Sequence, residues 1–522
     1  MAEADPRLAE GAALMAQGRA ADAETIYQAV LAESPDSADA YFLWGILALQ
    51  AGDATAGVER LTQACALSPN NPQFQRQRGQ VLMQLGRADL AAESLGAAHF
   101  LAPGDAEAAF EFGEALRLQG KDAEAEPVLR RAFDLRPDFA AAGNSLGVVL
   151  DRSRRPAEAE AVYRQIIATA GVTPELLYNL GNVCKDQRHV AEAADAYAQA
   201  VALRPDYPEA QVHLAYAKLF LGDYATAWDA YEWRWKLPQF ADTVRDYPQP
   251  RWTGEALDGK RILVWSEQGF GDTLQFGRFA SEVAARGGEV ILECQPPLAE
   301  LMSSLPGVAE AVAYGGGQDF DVHVPLLSLP GILGIAEATI PAAFPYLSAD
   351  PARIEDWRRR IGGPEGRKIG LAWRGSAEVR GTTPRACPLE ALAPLLALDG
   401  VSVFGFQKDK APEDLALPEG LTDLADDFAD FSDTAAAMMA MDAVVTIDTA
   451  VSHLALALGR PTWVMLSRAA DWRWGREGPT TPWYPAAHLV RQEQAGEWAA
   501  VIDRVVRGVA GSLPTVPADG KS

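Results

Sequence analysis

The sequence predicts two architectures in one chain: an all-α superhelical repeat array over 1–241, then an α/β region of two parallel-sheet halves facing a cleft. Three observations carry this. Glycines recur every 34 residues, at Gly11, Gly45, Gly79, Gly113, Gly147 and Gly181. That periodicity stops near residue 242. Beyond it, short apolar runs alternate with helix-length segments, the pattern of parallel sheets. A chain of 522 residues is in any case too long for one core.

The repeat has further registers. A second glycine series runs Gly18, Gly52, Gly86, Gly120 and, after two misses, Gly222. Prolines fall at Pro35, Pro69, Pro103, Pro137 and Pro205. A small residue (Ala23, Gly57, Ala91, Ala125, Ala159, Ala193, Ala227) is followed four positions later by a large one (Tyr27, Leu61, Leu95, Leu129, Tyr163, Tyr197, Tyr231). Each register has a physical reason. The first glycine lies inside a helix and lets a partner helix approach. The second ends that helix in a left-handed cap. The i, i+4 pair is the packing stripe of the second helix, and proline closes the unit. Helix pairs at this period resemble the tetratricopeptide repeat (TPR). They give seven units: 4–37, 38–71, 72–105, 106–139, 140–173, 174–207 and 208–241. The resemblance implies a concave groove that binds a protein segment, with Asn144, Tyr178 and Asn182 among its first-helix positions. The alternative is a spacer or dimerisation arm. Asn179 sits in an N-L-G triplet, but Ser145 stands one repeat earlier, so a full asparagine ladder is absent.

A Pro/Trp-bearing connector over 242–259 leads into the second region. Strands are expected at 261–265, 289–294, 308–314, 321–326, 368–373, 401–406, 443–447 and 462–467. Helices are expected at 273–285, 351–361, 388–398, 432–441 and 451–458. Gly362, Gly363, Pro364 and Gly366 mark a hinge between two Rossmann-like halves, 260–350 and 366–510, followed by a flexible tail over 511–522. Ligands in such sheets bind at the carboxyl ends of the strands.

Two strand ends carry the candidate chemistry. In the turn Glu267-Gln268-Gly269-Phe270-Gly271-Asp272, a strand enters a glycine turn and a helix leaves near Asp272. Gly269-x-Gly271 resembles a dinucleotide fingerprint, with Glu293 where a ribose acid could sit, but Leu274 replaces the third glycine. Asp272 is either a helix N-cap or a carboxylate general base. The strand over 443–447 delivers Asp448, Thr449 and Ala450 to a helix start suited to a phosphate. His453, one turn on, either donates to that anion or is a core histidine, and Asp448 and Thr449 have capping as their own alternative. Between these lies a loop with Arg374, Gly375, Arg380 and Arg385, three arginines able to pair with phosphate; a solvated loop is the alternative. Gln407 and Lys408 end the next strand and face the same cleft.

Composition narrows the classes. With 46 basic against 71 acidic residues, the net charge of -25 argues against nucleic acid and anionic membrane as partners. The most apolar stretch, 324–346, is interrupted by Pro325, Pro330, Gly331, Gly334, Glu337 and Pro341, which argues against a membrane span. Cys65, Cys184, Cys294 and Cys387 have no C-x-x-C spacing and suggest no metal knuckle, disulfide framework or redox dithiol. The acidic N-terminus carries no secretory pattern, so a cytoplasmic protein is expected.

The segments EQGFGDTLQF, GLAWRGS, DFSDTAAAMMAMDAVVTIDTAVSHLALALGRPTWVML and DWRWGREGPTTPWYP resemble bacterial TPR proteins with a C-terminal glycosyltransferase domain. That domain is similar to the heptosyltransferase family, of GT-B fold, over about 250–495. The resemblance implies metal-independent, inverting transfer from a nucleotide sugar, with no cofactor. By the same resemblance Asp272 maps onto the family's base, and Asp448, Thr449 and His453 onto its D-T-G-x-x-H donor motif, with Ala450 in place of glycine. Arg374, with Arg380 and Arg385 as alternatives, maps onto a donor-contacting basic residue, although the loop lacks the family's histidine. The layout also resembles alphaproteobacterial flagellin glycosyltransferases, which implies flagellin as acceptor and a nonulosonic acid as sugar. The competing class is a catalytically weak or inactive TPR scaffold that binds protein partners and senses a nucleotide sugar.

Overall fold

A computed structural model describes residues 5–316, 319–363, 366–375, 386–468 and 470–511. Helix pairs come first: α1 (Pro6–Ala16), α2 (Ala20–Glu33), α3 (Ala38–Gln50), α4 (Ala54–Leu67), α5 (Pro72–Gln84), α6 (Ala88–Leu101), α7 (Ala106–Leu118), α8 (Asp122–Leu135), α9 (Ala140–Arg152), α10 (Pro156–Ala170), α11 (Pro174–Asp186), α12 (Val190–Leu203), α13 (Pro208–Phe220) and α14 (Tyr224–Tyr231). The registers act as the sequence suggests. A Cβ on Gly79 would lie 2.5 Å from Leu95 Cγ, so α5 and α6 touch backbone to side chain only because the glycine is bare. Gly52 takes φ 84 at the end of α3. At the two misses of that series Arg154 and Arg188 adopt φ 60 and 68, so the left-handed cap survives the loss of glycine. The stripe residues Ala23, Tyr27, Leu61, Ala91, Leu95, Ala125 and Leu129 are all buried.

The α/β region holds two wholly parallel sheets. The first runs β3 (Val308–Ala313), β2 (Glu289–Cys294), β1 (Arg261–Trp265), β4 (Val322–Pro325). The second runs β10 (Ala487–Arg491), β9 (Thr462–Leu466), β8 (Ala443–Ile447), β5 (Arg367–Ala372), β6 (Val401–Gly405), β7 (Leu421–Asp423). Strand order reverses between β1 and β4 and again between β5 and β8. Each reversal leaves a crevice at the carboxyl ends of the strands, where ligands bind in such sheets. Two edge strands, β7 and β10, and the closing helix Ala499–Gly511 escaped sequence reading.

Several expected helices are shorter. Over 273–285 the chain forms α15 (Phe270–Phe276), a 3-10 turn and a five-residue helix. The segment 388–398 is likewise broken. The helix Pro351–Ile361 ends at Gly362 with φ 71. The hinge residue Pro364 and nearly all of the expected tail lie outside the described residues.

The chain divides into two compact units, 1–189 and 190–522, so α12, α13 and α14 belong with the sheets although they continue the repeat. Burial explains why. Trp228 and Tyr231 are buried in the same core as Trp472, Trp474 and Trp483. Trp228 Nε1 donates to Ile335 O at 2.8 Å, and its ring meets Trp472 edge-on at 6.0 Å. The helical face of Trp228, Tyr231 and Trp235 is cut short: α14 stops at Tyr231, a 3-10 turn follows, and Arg234 takes the next inward position. Trp235 packs on Trp265 instead, with ring centroids 5.6 Å apart.

Candidate functional site

The first crevice is filled from within. Glu267, just past β1, accepts from Arg234 Nη2 at 3.0 Å and from Leu327 N at 3.2 Å. Arg234 is fully buried and also bonds Ser328 Oγ and Glu232. Burial lifts the Glu267 carboxyl to about 7, opposed by Arg234 and the Leu327 N–H and helped by the nearby Glu232 charge. Oε2 of Glu267 has no hydrogen-bond partner among the described residues. Glu267 thus fastens the repeat end to the sheet. Gln268 Nε2 donates to Tyr231 Oη at 2.8 Å. Glu293 pairs with the connector's Arg245.

Asp272 is not at the N-cap. Gly269 occupies that position and Asp272 is the third residue of α15, because the helix starts at Phe270. Its Oδ2 accepts from Gly269 N at 3.1 Å, closing the first turn. Its Oδ1 accepts from Arg473 Nη2 at 2.5 Å. Burial raises the Asp272 carboxyl, opposed by Arg473. Burial alone would lower the Arg473 guanidinium, but Asp471 and Asp272 together raise it, so it stays charged.

α15 lies against the helix Ala450–Ala457, which leaves β8 at the second crevice. A Cβ on Gly271 would be 2.9 Å from His453 Cδ2 and 3.8 Å from Ala450 Cα. The bare glycine therefore brings Asp272 and the first turn of that helix together. Thr449 is the N-cap residue, with Ser452 Oγ 3.3 Å from its backbone N. Asp448 is half-buried at the strand end. His453 is buried, its Nδ1 2.8 Å from Tyr484 Oη and its ring stacked on Trp474 at 5.2 Å. Burial, with Arg473 nearby, lowers it to about 3, so His453 is neutral and offers an anion no charge.

The remaining candidates flank β5. Gly375 stands beside Thr449, 3.8 Å from its Cγ2 if given a Cβ. Gln407 Oε1 accepts from Trp373 N and Arg374 N, at 3.1 and 2.9 Å, and so shapes the loop. Arg374 Nε donates to Asp414 at 2.8 Å. Lys408 Nζ donates to the Phe428 and Ala425 carbonyls, at 2.6 and 3.2 Å. These two cations are thus engaged by the chain. Arg380 and Arg385 lie outside the described residues.

In the repeats, Asn144 on α9 and Tyr178 and Asn182 on α11 are all half-buried on first helices. Asn144 Oδ1 accepts from Asn179 Nδ2 at 2.8 Å, an asparagine pair across consecutive repeats. Sequence reading missed this pair because it compared Asn179 with Ser145. It also missed Arg234, Arg473 and Tyr484. The last two lie in DWRWGREGPTTPWYP, which gave the resemblance but no site residue.

Tetratricopeptide-repeat family models match residues 8–72, 76–138 and 123–172, and a second such model matches 174–207. The first ~210 residues are TPR repeats. Protein FlbA of Caulobacter vibrioides is 31% identical over 340 residues, covering 58% of this chain and 55% of FlbA. The chain thus spans about half the length of that curated relative. Among solved structures, Pseudomonas aeruginosa PilF is 19% identical with a TM-score of 0.33, over 39% of this chain and 93% of PilF. YrrB, described as a TPR protein with an unusual peptide-binding site, is 17% identical with a TM-score of 0.33, over 35% and 95%. Among the described residues, no helix is long and apolar enough to cross a membrane.

Proposed function

We propose that this chain transfers a sugar from a nucleotide-sugar donor to a protein recruited by its TPR repeats, on a GT-B-like pair of sheets. The observation that carries the reading is the close packing of α15 on the Ala450–Ala457 helix at Gly271, which sets Asp272 beside that helix's first turn. The Asp272 carboxylate takes the proton of an acceptor hydroxyl as that oxygen bonds to the anomeric carbon. The bond from that carbon to the donor phosphate breaks, and its electron pair leaves on the nucleotide. The phosphate sits at the first turn of the Ala450–Ala457 helix beside Gly375, where the helix dipole favours an anion. Metal-independent transfer follows from the family resemblance, and the helix dipole offsets part of the leaving charge. Flagellin as acceptor and a nonulosonic acid as sugar follow from the family resemblance alone.

A second reading has its own support. Arg374 and Lys408 are engaged by protein groups, and both Asp272 oxygens accept hydrogen bonds. A scaffold that binds protein partners and a nucleotide sugar without transfer fits that state. A donor-hydrolysis screen of the purified chain with UDP-, GDP-, ADP- and CMP-sugars separates the two. Hydrolysis lost in Asp272→Asn supports transfer; binding without hydrolysis supports the scaffold.

A further inference from the structure

Asp272 and Arg473 are 201 residues apart in sequence. One sits on the first turn of α15, beside the first sheet. The other follows β9 of the second sheet. Only 11% of the Arg473 side chain is exposed. Its guanidinium is fixed on several sides. Nη1 donates to Asp471 Oδ1 at 2.9 Å. Its carbon lies 4.5 Å from the Trp472 ring centroid and 5.6 Å from that of Phe276. One edge remains, and it faces Asp272 Oδ1. Gly269 N holds the other oxygen. The carboxylate plane is therefore set by one donor from each half.

The geometry points to Arg473 as the positioning residue that orients Asp272 as the base. This rests on the transfer reading above. Arg473 reaches the carboxylate from the half that carries the donor crevice, so the base is in register only while the two halves are together. A planar guanidinium anchored at Asp471 fixes direction as well as charge, which a point-charge ammonium cannot.

The groups facing Asp272 are few. Tyr216 on α13 and Tyr231 on α14 face it from the repeat side; burial raises both phenols, so they stay neutral. Asp471 and Arg473 face it from the loop. His453, from the helix packed on α15, is neutral. Burial and Asp471 both raise the carboxyl, and Arg473 is the cation that opposes them. Without it, the acid limb of a reaction needing ionised Asp272 must move to higher pH.

The test is the pH profile of donor hydrolysis by the full chain, using whichever of the UDP-, GDP-, ADP- and CMP-sugars it turns over. Arg473→Gln is expected to move the acid limb of kcat/KM upward by about one to three pH units. kcat should fall while KM for the donor holds. Arg473→Lys should restore the limb towards the wild-type position but not kcat. An unmoved limb in Arg473→Gln, with Asp272→Asn still inactive, overturns this inference and leaves the transfer reading standing. A loss carried entirely by KM also overturns it, since Arg473 would then be a donor ligand. Should Arg473→Gln fail to fold, Arg473→Lys decides: wild-type kcat overturns the assignment, and reduced kcat at unchanged KM supports it. Wild-type turnover by Asp272→Asn, or no turnover of any donor by the wild type, removes the transfer reading and this inference together.

Discussion

Arg234→Met tests whether the last repeat helix is built into the sheet unit. Arg234 is fully buried, and its Nη2 bonds Glu267 and Ser328 at 3.0 and 2.8 Å. Removing it leaves a buried carboxylate with only the Leu327 N–H. Breaking a buried pair in this way costs about 3–5 kcal/mol. Replacing both partners, as Arg234→Met with Glu267→Leu, should recover most of that loss, because an apolar pair of similar volume is often neutral or better. The loss should also depend on pH. The Glu267 carboxyl sits at about 7 in the fold against 4.5 for an ordinary glutamate, so its ionisation opposes folding. That penalty is absent below about pH 4.5, grows up to about pH 7 and is complete above it. Without Arg234 the carboxyl rises further, so the variant should lose most above pH 7 and recover towards pH 5, where Glu267 takes up a proton. Urea unfolding followed by tryptophan fluorescence reads this unit, since all of the 13 tryptophans except Trp44 lie beyond residue 189. A loss below about 1 kcal/mol at pH 8, or a double variant no more stable than the single one, would show that the Arg234–Glu267 pair does not hold the last repeat helix to the sheet.

The unit boundary predicts that 190–522 folds with the tryptophan unfolding midpoint of the full chain. By contrast, 242–522 loses Tyr224, Trp228, Tyr231 and Arg234 from its core and should aggregate; a soluble 242–522 with native fluorescence would contradict this. Gln407→Leu strands the N–H groups of Trp373 and Arg374, and should destabilise the unit by about 1–3 kcal/mol in the same urea assay. A change within ~0.5 kcal/mol would show that the loop holds itself. His453 is neutral, so calorimetric nucleotide affinity should carry no histidine-dependent change between pH 6 and pH 8. A tenfold fall across that range, abolished in His453→Gln, would place a charged imidazole in the site.

What the sequence revealed follows from where the information lies. The repeat was legible because a bare glycine, a left-handed cap and an i, i+4 stripe recur at fixed spacing. Even Arg154 and Arg188 keep the cap, so two missing glycines did not break the pattern. The central strands were legible as apolar runs, whereas β7 and β10 are short edges with weaker patterns. The pairings Asp272–Arg473 and Arg234–Glu267 were not legible. They join residues 201 and 33 positions apart, and no local periodicity encodes them. The same distance hid the unit boundary. By period α13 and α14 are a seventh repeat, but Trp228, Tyr231 and Arg234 bury themselves in the sheet core.

Transfer of a sugar to a recruited protein is read by intact-mass spectrometry of the acceptor. Flagellin from the source bacterium would be incubated with the full chain and each of the UDP-, GDP-, ADP- and CMP-sugars. A sugar-mass increment is expected on flagellin with one donor. The increment should fall ~10²–10⁴-fold in Asp272→Asn, the range typical of losing a general base. It should also be poor with 190–522, which lacks most of the groove. Flagellin that binds the chain yet gains no mass with any donor, with no donor hydrolysed, would contradict it and leave a binding scaffold.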